Sequence, residues 1–257
     1  MSFVHRYESA LDREIVGLVA SSLAFGNVTT IRAKTGEVLA RIGSSPVRAS
    51  ADLKVLQEQL RGWKHRVFRG DDVARLIFGA GELQRAHGSL GARFASDWNA
   101  SGGDLRVAIG AFVTALRAAA GLKKHKTRRG PSHLLPSAES KSAMKRFLLY
   151  LRWMVRPADG VDLGTWFGLV PTSALIIPVD VHIHKLSRNL GLTKHKLPTW
   201  DTAVEITRAL AEFDPADPVR YDFALCHMGM LQRCPSRRDE KRCEGCPVRP
   251  VCIHWTR

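Results

Sequence analysis

The end of the chain holds four closely spaced cysteines, and this spacing constrains the fold more than any other feature. Cys234, Cys243, Cys246 and Cys252 are separated by eight, two and five residues. Thiols this close cannot all pair comfortably as disulfides, but thiolates can converge on one metal centre. Arginines and lysines occupy the residues between them. The segment therefore predicts a metal site framed by positive charge.

The spacing leaves two kinds of metal site open. Four thiolates suit zinc as well as an iron–sulfur cluster. A zinc ribbon usually has two Cys-x-x-Cys pairs, whereas this segment has one, formed by Cys243 and Cys246. The pattern therefore favours an iron–sulfur cluster over zinc.

The charge balance indicates a polyanionic partner. The chain has 257 residues, with 39 Lys and Arg against 24 Asp and Glu, which gives a net charge of +15. Such a surplus is typical of proteins that bind nucleic acid or an anionic surface. No apolar run approaches the roughly 18–20 residues that span a bilayer, and the first residues lack a signal-peptide core. Sparse, clustered cysteine favours a reducing compartment, so we expect a cytoplasmic protein without membrane association.

Helical spacing of apolar residues dominates the chain, and strand alternation is scarce. We therefore predict an all-α protein of about ten helices. Two helices within 12–42 meet at a Phe-Gly-Asn turn that contains Asn27. Asp180 is placed as the N-cap of another helix. The remaining predicted helices cover 52–61, 71–86, 89–98, 104–120, 141–156, 165–175, 181–192, 198–213 and 217–232.

Several polar positions are candidates for binding a phosphate backbone. Asn27 and Phe25 either close a helix hairpin or reach a ligand from their turn. A tight turn at Gly160 and Gly164 would separate the helices 141–156 and 165–175 and leave backbone N–H groups open to a phosphate. The basic segment 123–129 is either solvated or contacts phosphates. Its candidate contacts are Lys123, Lys124, Arg128 and Arg129.

Three segments together resemble the endonuclease III-type DNA glycosylases of the helix-hairpin-helix superfamily. The last two cysteine gaps match that family's C-terminal cluster loop, although the first gap is longer. The segment Pro178-Val179-Asp180-Val-His resembles the one that carries the family's catalytic aspartate. Residues 224–229, which contain His227 and Gly229, resemble the His-Gly segment ahead of the cluster. The whole chain resembles an atypical bacterial branch of the superfamily more than endonuclease III itself.

The resemblance implies a fold, a cofactor and an activity. The fold would have two helical lobes, a central one over 21–175 with the hairpin and a terminal one from 1–20 plus 176–257. A [4Fe-4S] cluster would be held by the four cysteines. The protein would act as a monomer, associated with the nucleoid, on double-stranded DNA that contains a modified base. It would flip that base and excise it in base excision repair.

One departure from the family leaves the mechanism open. Family members with lyase activity carry a catalytic lysine just after the hairpin, but no lysine lies between Gly160 and Asp180. Asp180 would then help water to attack the sugar C1′ carbon, or a lysine of helix 141–156, Lys145 or Lys141, would form a Schiff base. Burial of this lysine beside Arg146 and Arg152 would favour its neutral amine form. The alternative is a non-catalytic iron–sulfur or zinc protein that only binds DNA.

Some other residues receive structural interpretations. His182 and His184 lie two positions apart and cannot share a helix face, so we expect no metal pair and assign His182 to DNA contact. Cys226 is interpreted as a core cysteine and not as a metal ligand. Trp153 and Trp166 are expected in the core rather than stacked on bases.

Overall fold

The computed structural model describes residues 2–122, 128–136 and 142–256 and divides into two compact units. The first unit consists of Met1–Ser140 with Tyr150–Val170, and the second of Lys141–Leu149 with Pro171–Arg257. The described residues form thirteen α-helices and one pair of two-residue strands. This confirms the prediction of a mainly helical protein. Within these residues, no helix is long and apolar enough to cross a membrane.

Within its described residues, the first unit contains eight complete helices, the last residues of a ninth (α9, Lys145–Val155) and a short β-hairpin. The helices are α1 (Ala10–Ser22), α2 (Val28–Ile42), α3 (Pro46–Ala49), α4 (Leu53–Gln59), α5 (Gly70–His87), α6 (Leu90–Ala100), α7 (Leu105–Ala119) and α8 (Gly130–Leu134). The hairpin joins β1 (Lys64–His65) to β2 (Phe68–Arg69) in antiparallel pairing. Sequence patterns did not predict these strands, because two residues are too few to show alternation.

The second unit is built from four complete helices and part of a fifth. These are α10 (Val181–Asn189), α11 (Trp200–Ala211), α12 (Asp222–Leu231), α13 (Glu240–Cys243) and the first residues of α9 (Lys145–Val155). Short 3-10 helices cover Thr172–Ala174, Pro218–Tyr221 and Arg249–Val251. An isolated bridge pairs Ser142 with Thr199, which holds the approach to α9 against the start of α11.

A buried carboxylate organises the first unit. Glu14 of α1 is 2% exposed and accepts four hydrogen bonds. Two come from the N–H groups of Leu90 and Gly91 at the start of α6, at 2.8 and 2.9 Å. The others come from Gln84 Nε2 and Trp166 Nε1, at 2.8 and 2.6 Å. A buried carboxylate needs such donors, and a helix N-terminus also favours its negative charge.

These bonds place the N-terminal residues differently from the expected lobes. We expected residues 1–20 to join residues 176–257 in a terminal lobe. The structure assigns them to the first unit instead, because α1 buries Ile15, Val16 and Leu18 there and Glu14 bonds to α5 and α6. The boundary near residue 170 lies close to the expected one at 175.

The predicted second helix of the hairpin, over 165–175, is wrong. Helix α9 ends at Val155, and the described residues from 156 to 180 contain no α-helix. Three glycines in this segment, Gly160, Gly164 and Gly168, have positive φ, which interrupts a helix. Pro171 then restricts the residue before it to extended backbone. Trp166 is nevertheless 1% exposed and Trp153 8% exposed, so both tryptophans belong to the core as expected.

A buried ion cluster fixes this loop instead of a helix hairpin. The Asp162 side chain is fully buried, and its Oδ2 accepts hydrogen bonds from Arg152 and Arg156. Asp159 Oδ1 accepts from the N–H groups of Val161 and Asp162, at 3.0 and 2.7 Å. The backbone of residues 159–162 is therefore folded by its own side chains.

Candidate functional site

Asp180 lies at the start of α10 and caps it. Its Oδ1 accepts hydrogen bonds from the N–H groups of His182 and Ile183, at 2.9 and 2.8 Å. This confirms the predicted N-cap, which the extended backbone of Asp180 allows. The side chain is 16% exposed. Its second oxygen, Oδ2, takes no part in the cap and faces other side chains.

Lys145 is the side chain that meets this second oxygen. Its Nζ lies 3.7 Å from Asp180 Oδ2, which is an ion pair but too long for a direct hydrogen bond. The lysine is 37% exposed. An ion pair with this much solvent contributes only about 0–1 kcal/mol to stability. The pair is therefore not needed for folding, although the second unit brings together the two residues that we assigned to catalysis.

The backbone before Lys145 adopts an uncommon conformation. Met144 has a φ of 48°, in the left-handed region that a non-glycine residue seldom enters. Lys145 follows it as the first residue of α9. Such a conformation costs of order 1 kcal/mol or more, and it persists only where the surroundings hold it. Two contacts stabilise this conformation. Ser142 pairs with Thr199 in an isolated bridge, and Met144 N donates to Ser142 Oγ at 3.2 Å.

Cys226 of α12 is a third member of this site, which the sequence did not reveal. We interpreted it as a core cysteine, but it is only half-buried and its Sγ lies 3.7 Å from Asp180 Oδ2. Burial raises the pKa of Cys226 to about 12, and the negative charge of Asp180 acts in the same direction. The protonated thiol therefore donates to the carboxylate. It competes with Lys145 for the same oxygen.

Helices α10 and α12 pack closely at this site. A Cβ atom added at Gly229 would lie 3.3 Å from His182 Cβ and 3.5 Å from His182 O. The glycine thus lets α12 approach α10 and brings Cys226 towards Asp180. His182 is half-buried in this contact, so only part of its side chain remains for the DNA contact that we assigned to it.

The two arginines expected beside the lysine have different surroundings. Burial lowers the pKa of Arg146, the residue after Lys145, to about 10. Arg152 belongs to the first unit, where it pairs with Asp162. The expectation that Arg152 acts on the lysine is therefore replaced by a structural role in the loop after α9.

The proposed phosphate contacts at the glycine turn are also revised. The N–H groups of Val161, Asp162 and Leu163 donate within the protein, the last to Trp153 O at 2.8 Å. Gly164 approaches Ala158 closely, since an added Cβ would lie 2.8 Å from Ala158 N. Gly160 and Gly164 thus serve a tight backbone turn, and these three N–H groups between them are already occupied.

Asn27 caps α2, a role that we did not assign to it from the sequence. Its Oδ1 accepts from the N–H groups of Thr29 and Thr30, at 2.9 and 3.4 Å, at the start of α2. Beside it, Phe25 is 39% exposed and its ring contacts His133.

Arg128 and Arg129 line a basic cavity of the first unit. Lys123, Lys124 and Lys141 lie outside the described residues.

The four cysteines of the C-terminal segment line one cavity of the second unit. The cavity encloses about 390 Å³ of atom-free space, part of it open to solvent, and Arg242 and Arg249 also line it. The cysteines are Cys234, Cys243, Cys246 and Cys252, all with free thiols. Among the described residues, no three His, Cys, Asp or Glu side chains converge closely enough to hold a metal ion as they stand.

Four cysteine side chains around one cavity are a donor set of the kind that multivalent cations bind as thiolates. Burial raises the pKa of Cys234, the hydrogen bond from Asn189 lowers it, and the charges of the other three cysteines raise it. If all four cysteines were ionised, the thiolates would repel one another, and a bound cation would remove that repulsion. Asn189 supports the arrangement, because its Nδ2 donates to Cys234 Sγ at 3.2 Å and to Pro235 O at 2.9 Å. His254 Nε2 lies 3.1 Å from Asn189 Oδ1.

Two arginines stack on an aromatic ring beside the cysteines. The guanidinium carbons of Arg238 and Arg249 lie 4.1 and 3.8 Å from the centre of the Trp255 ring. Cation–π contacts of this kind hold the basic segment in place. The sequence pointed to the positive charge here, but not to Asn189, His254 or Trp255, whose roles depend on contacts between distant segments.

Comparison with known proteins identifies a family but no characterised relative. No curated protein and no solved structure matches the chain. One family profile, described as a protein of unknown function (DUF2400), matches residues 1–231. The match includes Lys145, Asp180 and Cys226 and ends before Cys234, so it says nothing about the cysteine segment. Because it covers most of the chain, the protein belongs to the DUF2400 family.

Proposed function

We propose that the protein is a DNA glycosylase of base excision repair, with Asp180 and Lys145 at its active site. The observation that carries the proposal is the 3.7 Å separation of Lys145 Nζ from Asp180 Oδ2. The lysine that endonuclease III-type enzymes place after the hairpin is missing here. The start of α9 supplies a lysine beside the carboxylate instead. The proposed scaffold is that of the helix-hairpin-helix superfamily, with a shorter and irregular loop replacing the hairpin.

The pair can perform the chemistry of base release. Breaking the bond between the sugar C1′ carbon and the base builds positive charge on the sugar, and a nearby carboxylate stabilises it. Once Lys145 has lost its proton, Nζ bonds to C1′ as the base departs with the electron pair of the broken bond. Asp180 Oδ2 is free of the cap and is the acceptor for the proton that the amine loses.

The cysteine cavity is proposed to hold a [4Fe-4S] cluster. Cys234, Cys243, Cys246 and Cys252 would be its ligands, in a setting where Arg242 and Arg249 balance negative charge. When bound, such a cluster would stabilise a basic loop that contacts the DNA backbone, and it would take no part at the sugar. Purified protein with visible iron–sulfur absorbance and matching iron and sulfide content supports this assignment. Colourless protein with stoichiometric zinc overturns it.

Base release tests the proposed activity. Oligonucleotide duplexes that each contain one modified base are incubated with the protein and then cleaved with alkali. We expect strand breaks for at least one base, and we expect Asp180→Asn to lower the rate by about 10²–10⁴-fold. Because asparagine caps helices as well as aspartate does, the variant keeps its fold. Undiminished base release in this variant would leave Asp180 as a cap only.

Borohydride reduction identifies the nucleophile. After Nζ has replaced the base, the C1′–O4′ bond opens, O4′ takes a proton, and Nζ and C1′ form a Schiff base. Borohydride reduces it to a covalent adduct, which we expect to disappear in Lys145→Gln. The matched control is Lys185→Gln, an exposed lysine on α10. Base release without any adduct in the unsubstituted protein would assign the attack to water. An adduct that survives in Lys145→Gln would place the nucleophile at another lysine.

A second function is favoured by one observation. Asp180 has a complete structural role, since Oδ1 accepts two N–H groups at the start of α10. A non-catalytic DNA-binding protein with an iron–sulfur or zinc site would keep this cap. A negative result with every modified base, together with DNA binding that survives in Asp180→Asn, would favour this alternative.

A further inference from the structure

The β-hairpin of the first unit opens a cavity that is lined mainly by positive charge. The cavity encloses about 780 Å³ of atom-free space, including open solvent. Lys64, Arg66 and Arg69 line it from the hairpin, and Arg128 and Arg129 from the segment before α8. Ligand pockets for small molecules are mostly apolar. Because five of its seven lining residues are cationic, this cavity has the character of a basic groove.

Most of this charge is not neutralised by the protein. Arg128 pairs with the buried Asp72, at 2.7 Å. Within the part of the chain that the structure describes, Lys64, Arg66, Arg69 and Arg129 have no acidic partner within 4 Å. Five cations less one carboxylate leave a charge of about +4 around one cavity, which attracts a polyanion strongly.

The geometry of Arg66 is held in place by its neighbours. The residue sits at the hairpin tip with a φ of 57°, a left-handed conformation that glycine or asparagine adopts more readily. Its guanidinium lies 5.8 Å from the centre of the Phe25 ring. A Cβ added at Gly26 would lie 2.7 Å from Arg66 Nη2, so the guanidinium occupies the space above that glycine. The Arg66 guanidinium is therefore placed at the hairpin tip by its backbone and by the Phe25 turn.

A buried histidine ties the hairpin to the Phe25 turn. His65 is 3% exposed, and its Nε2–H donates to Phe25 O at 3.2 Å. Burial lowers the pKa of His65, which favours the neutral ring. The hairpin and the Phe25 turn therefore form one surface in which the cations are already positioned.

We propose that this cavity binds the phosphate backbone of a nucleic-acid strand. Exposed, unpaired Lys and Arg side chains contact phosphates without reading sequence. The cavity is broad and open, which suits a strand that passes through it more than a single enclosed ion. The inference deepens the proposed function and rests on its DNA partner, but it does not depend on base excision.

Salt-dependent binding of an unmodified duplex tests the inference. The probe is a fluorescein-labelled duplex of about 20 base pairs, titrated by anisotropy between about 50 and 200 mM salt. The double variant Lys64→Gln/Arg66→Gln is compared with Arg48→Gln/Lys54→Gln, which removes the same charges from exposed positions that do not line the cavity. We expect the cavity variant to raise Kd about tenfold. We expect the slope of log K against log salt to become shallower by about 1.8, which is 0.9 for each of two lost phosphate contacts.

A second pair of cavity arginines provides an independent test. The variant Arg69→Gln/Arg129→Gln should give the same effect on Kd and slope from different residues of the cavity. Equal Kd and slope in cavity and control variants would overturn the proposal.

Inorganic phosphate serves as a separate probe of the cavity. One outcome is that phosphate raises the Tm of the unsubstituted protein but not that of the cavity variants, while all of these proteins bind the duplex equally well. In that case the site takes a small phosphate compound, and the nucleic-acid assignment is wrong.

The failure of this inference is distinguishable from that of the proposed function. Base release that depends on Asp180, with unchanged duplex affinity in the cavity variants, overturns the cavity assignment alone. Weakened duplex binding in those variants, without base release from any substrate, supports the cavity assignment and overturns base excision alone.

Discussion

Two aspartates of the protein pair with cations in opposite ways. In the first unit, Asp162 is fully buried and bonds to two arginines, Arg152 and Arg156, which are 4% and 8% exposed. In the second unit, Asp180 is 16% exposed and has one lysine at 3.7 Å. One oxygen of Asp180 caps a helix, and the other meets Lys145 and the Cys226 thiol.

The difference separates a structural ion cluster from a candidate reactive one. Buried charges that are paired and hydrogen-bonded leave little room for a substrate. Removal of one partner leaves the others buried without a compensating charge. A part-exposed pair contributes little to stability, and its lysine can leave its partner without a large penalty. We therefore expect substitutions at Asp162 to affect folding and substitutions at Asp180 and Lys145 to affect chemistry.

The largest expected effect is that of Asp162→Ala. The substitution leaves the buried side chains of Arg152 and Arg156 without their carboxylate. We expect the free energy of unfolding to fall by about 3–5 kcal/mol, measured by urea denaturation. Glu8→Ala, at an exposed position of the same unit, should change it by less than about 0.5 kcal/mol. A similar small change for Asp162→Ala would contradict the structural role of the cluster.

The reactivity of Cys226 tests whether its thiol lies against the Asp180 carboxylate. With a pKa of about 12, the thiolate fraction near pH 8 is about a thousandfold below that of an ordinary cysteine with a pKa near 9. We expect slow alkylation of Cys226 by iodoacetamide, followed by peptide mass spectrometry, and faster alkylation in Asp180→Asn. Equal alkylation rates in the two proteins would show that the Asp180 charge does not affect the pKa of the Cys226 thiol.

The same pKa shift predicts how stability changes with pH. Because the pKa of Cys226 is raised on folding, the protonated thiol favours the folded state. This contribution is fully present below about pH 9 and is lost as the pH rises towards 12. Cys226→Ser should therefore show a smaller loss of stability than the unsubstituted protein between those pH values, measured by urea denaturation at each pH.

The cap of α10 separates the two roles of Asp180. Asp180→Ala removes the acceptor of the His182 and Ile183 N–H groups, whereas Asp180→Asn keeps one. We expect the alanine variant to be less stable than the asparagine variant by about 1 kcal/mol, from urea denaturation curves recorded under the same conditions. Both variants should release the base far more slowly than the unsubstituted protein. Identical stabilities would mean that the cap contributes nothing measurable.

The smallest expected effect on folding is that of Lys145→Gln. Its ion pair with Asp180 is part-exposed, so the free energy of unfolding should change by less than about 1 kcal/mol. Lys185→Gln again serves as the control, measured by thermal and urea unfolding. If Lys145→Gln lowered the free energy of unfolding as much as Asp162→Ala does, Lys145 would have a structural role. The ion pairs of Asp162 and Asp180 would then not differ in their contribution to stability.

Helix positions and the local cap could be predicted from the sequence because both depend on nearby residues. Apolar periodicity predicted α4–α7, α10 and α11 to within two or three residues of their ends. The Asp180 cap followed from its place before an amphipathic segment. Part of the loop after α9, residues 165–175, was predicted as a second helix after the glycine turn, and the structure has no α-helix there. Trp166 is instead held by hydrogen bonds from its Nε1 to Glu14 Oε1 and from its N–H to Met154 O.

The candidate sites were only partly visible in the sequence because they join distant segments. Asp180 and Lys145 were proposed from the family resemblance, but their 3.7 Å separation depends on how α9 and α10 pack. Cys226 and the hairpin residues Lys64, Arg66 and Arg69 carried no local signal. Their roles follow from contacts made across tens of residues, as between Cys226 and Asp180, which are 46 positions apart.

The hydrogen bonds of Glu14 have a consequence for the order in which the first unit can assemble. Its acceptor oxygens are satisfied by residues that follow it by 70 to 152 positions, the last of them Trp166. At roughly 5–20 residues per second of synthesis, the ribosome delivers Trp166 about 8–30 s after Glu14. During that interval the carboxylate lacks one of its donors and must stay hydrated. The first unit therefore completes its core late in translation. A chain truncated before residue 166 should lack the Trp166 side chain in this core and the hydrogen bond that it donates to Glu14.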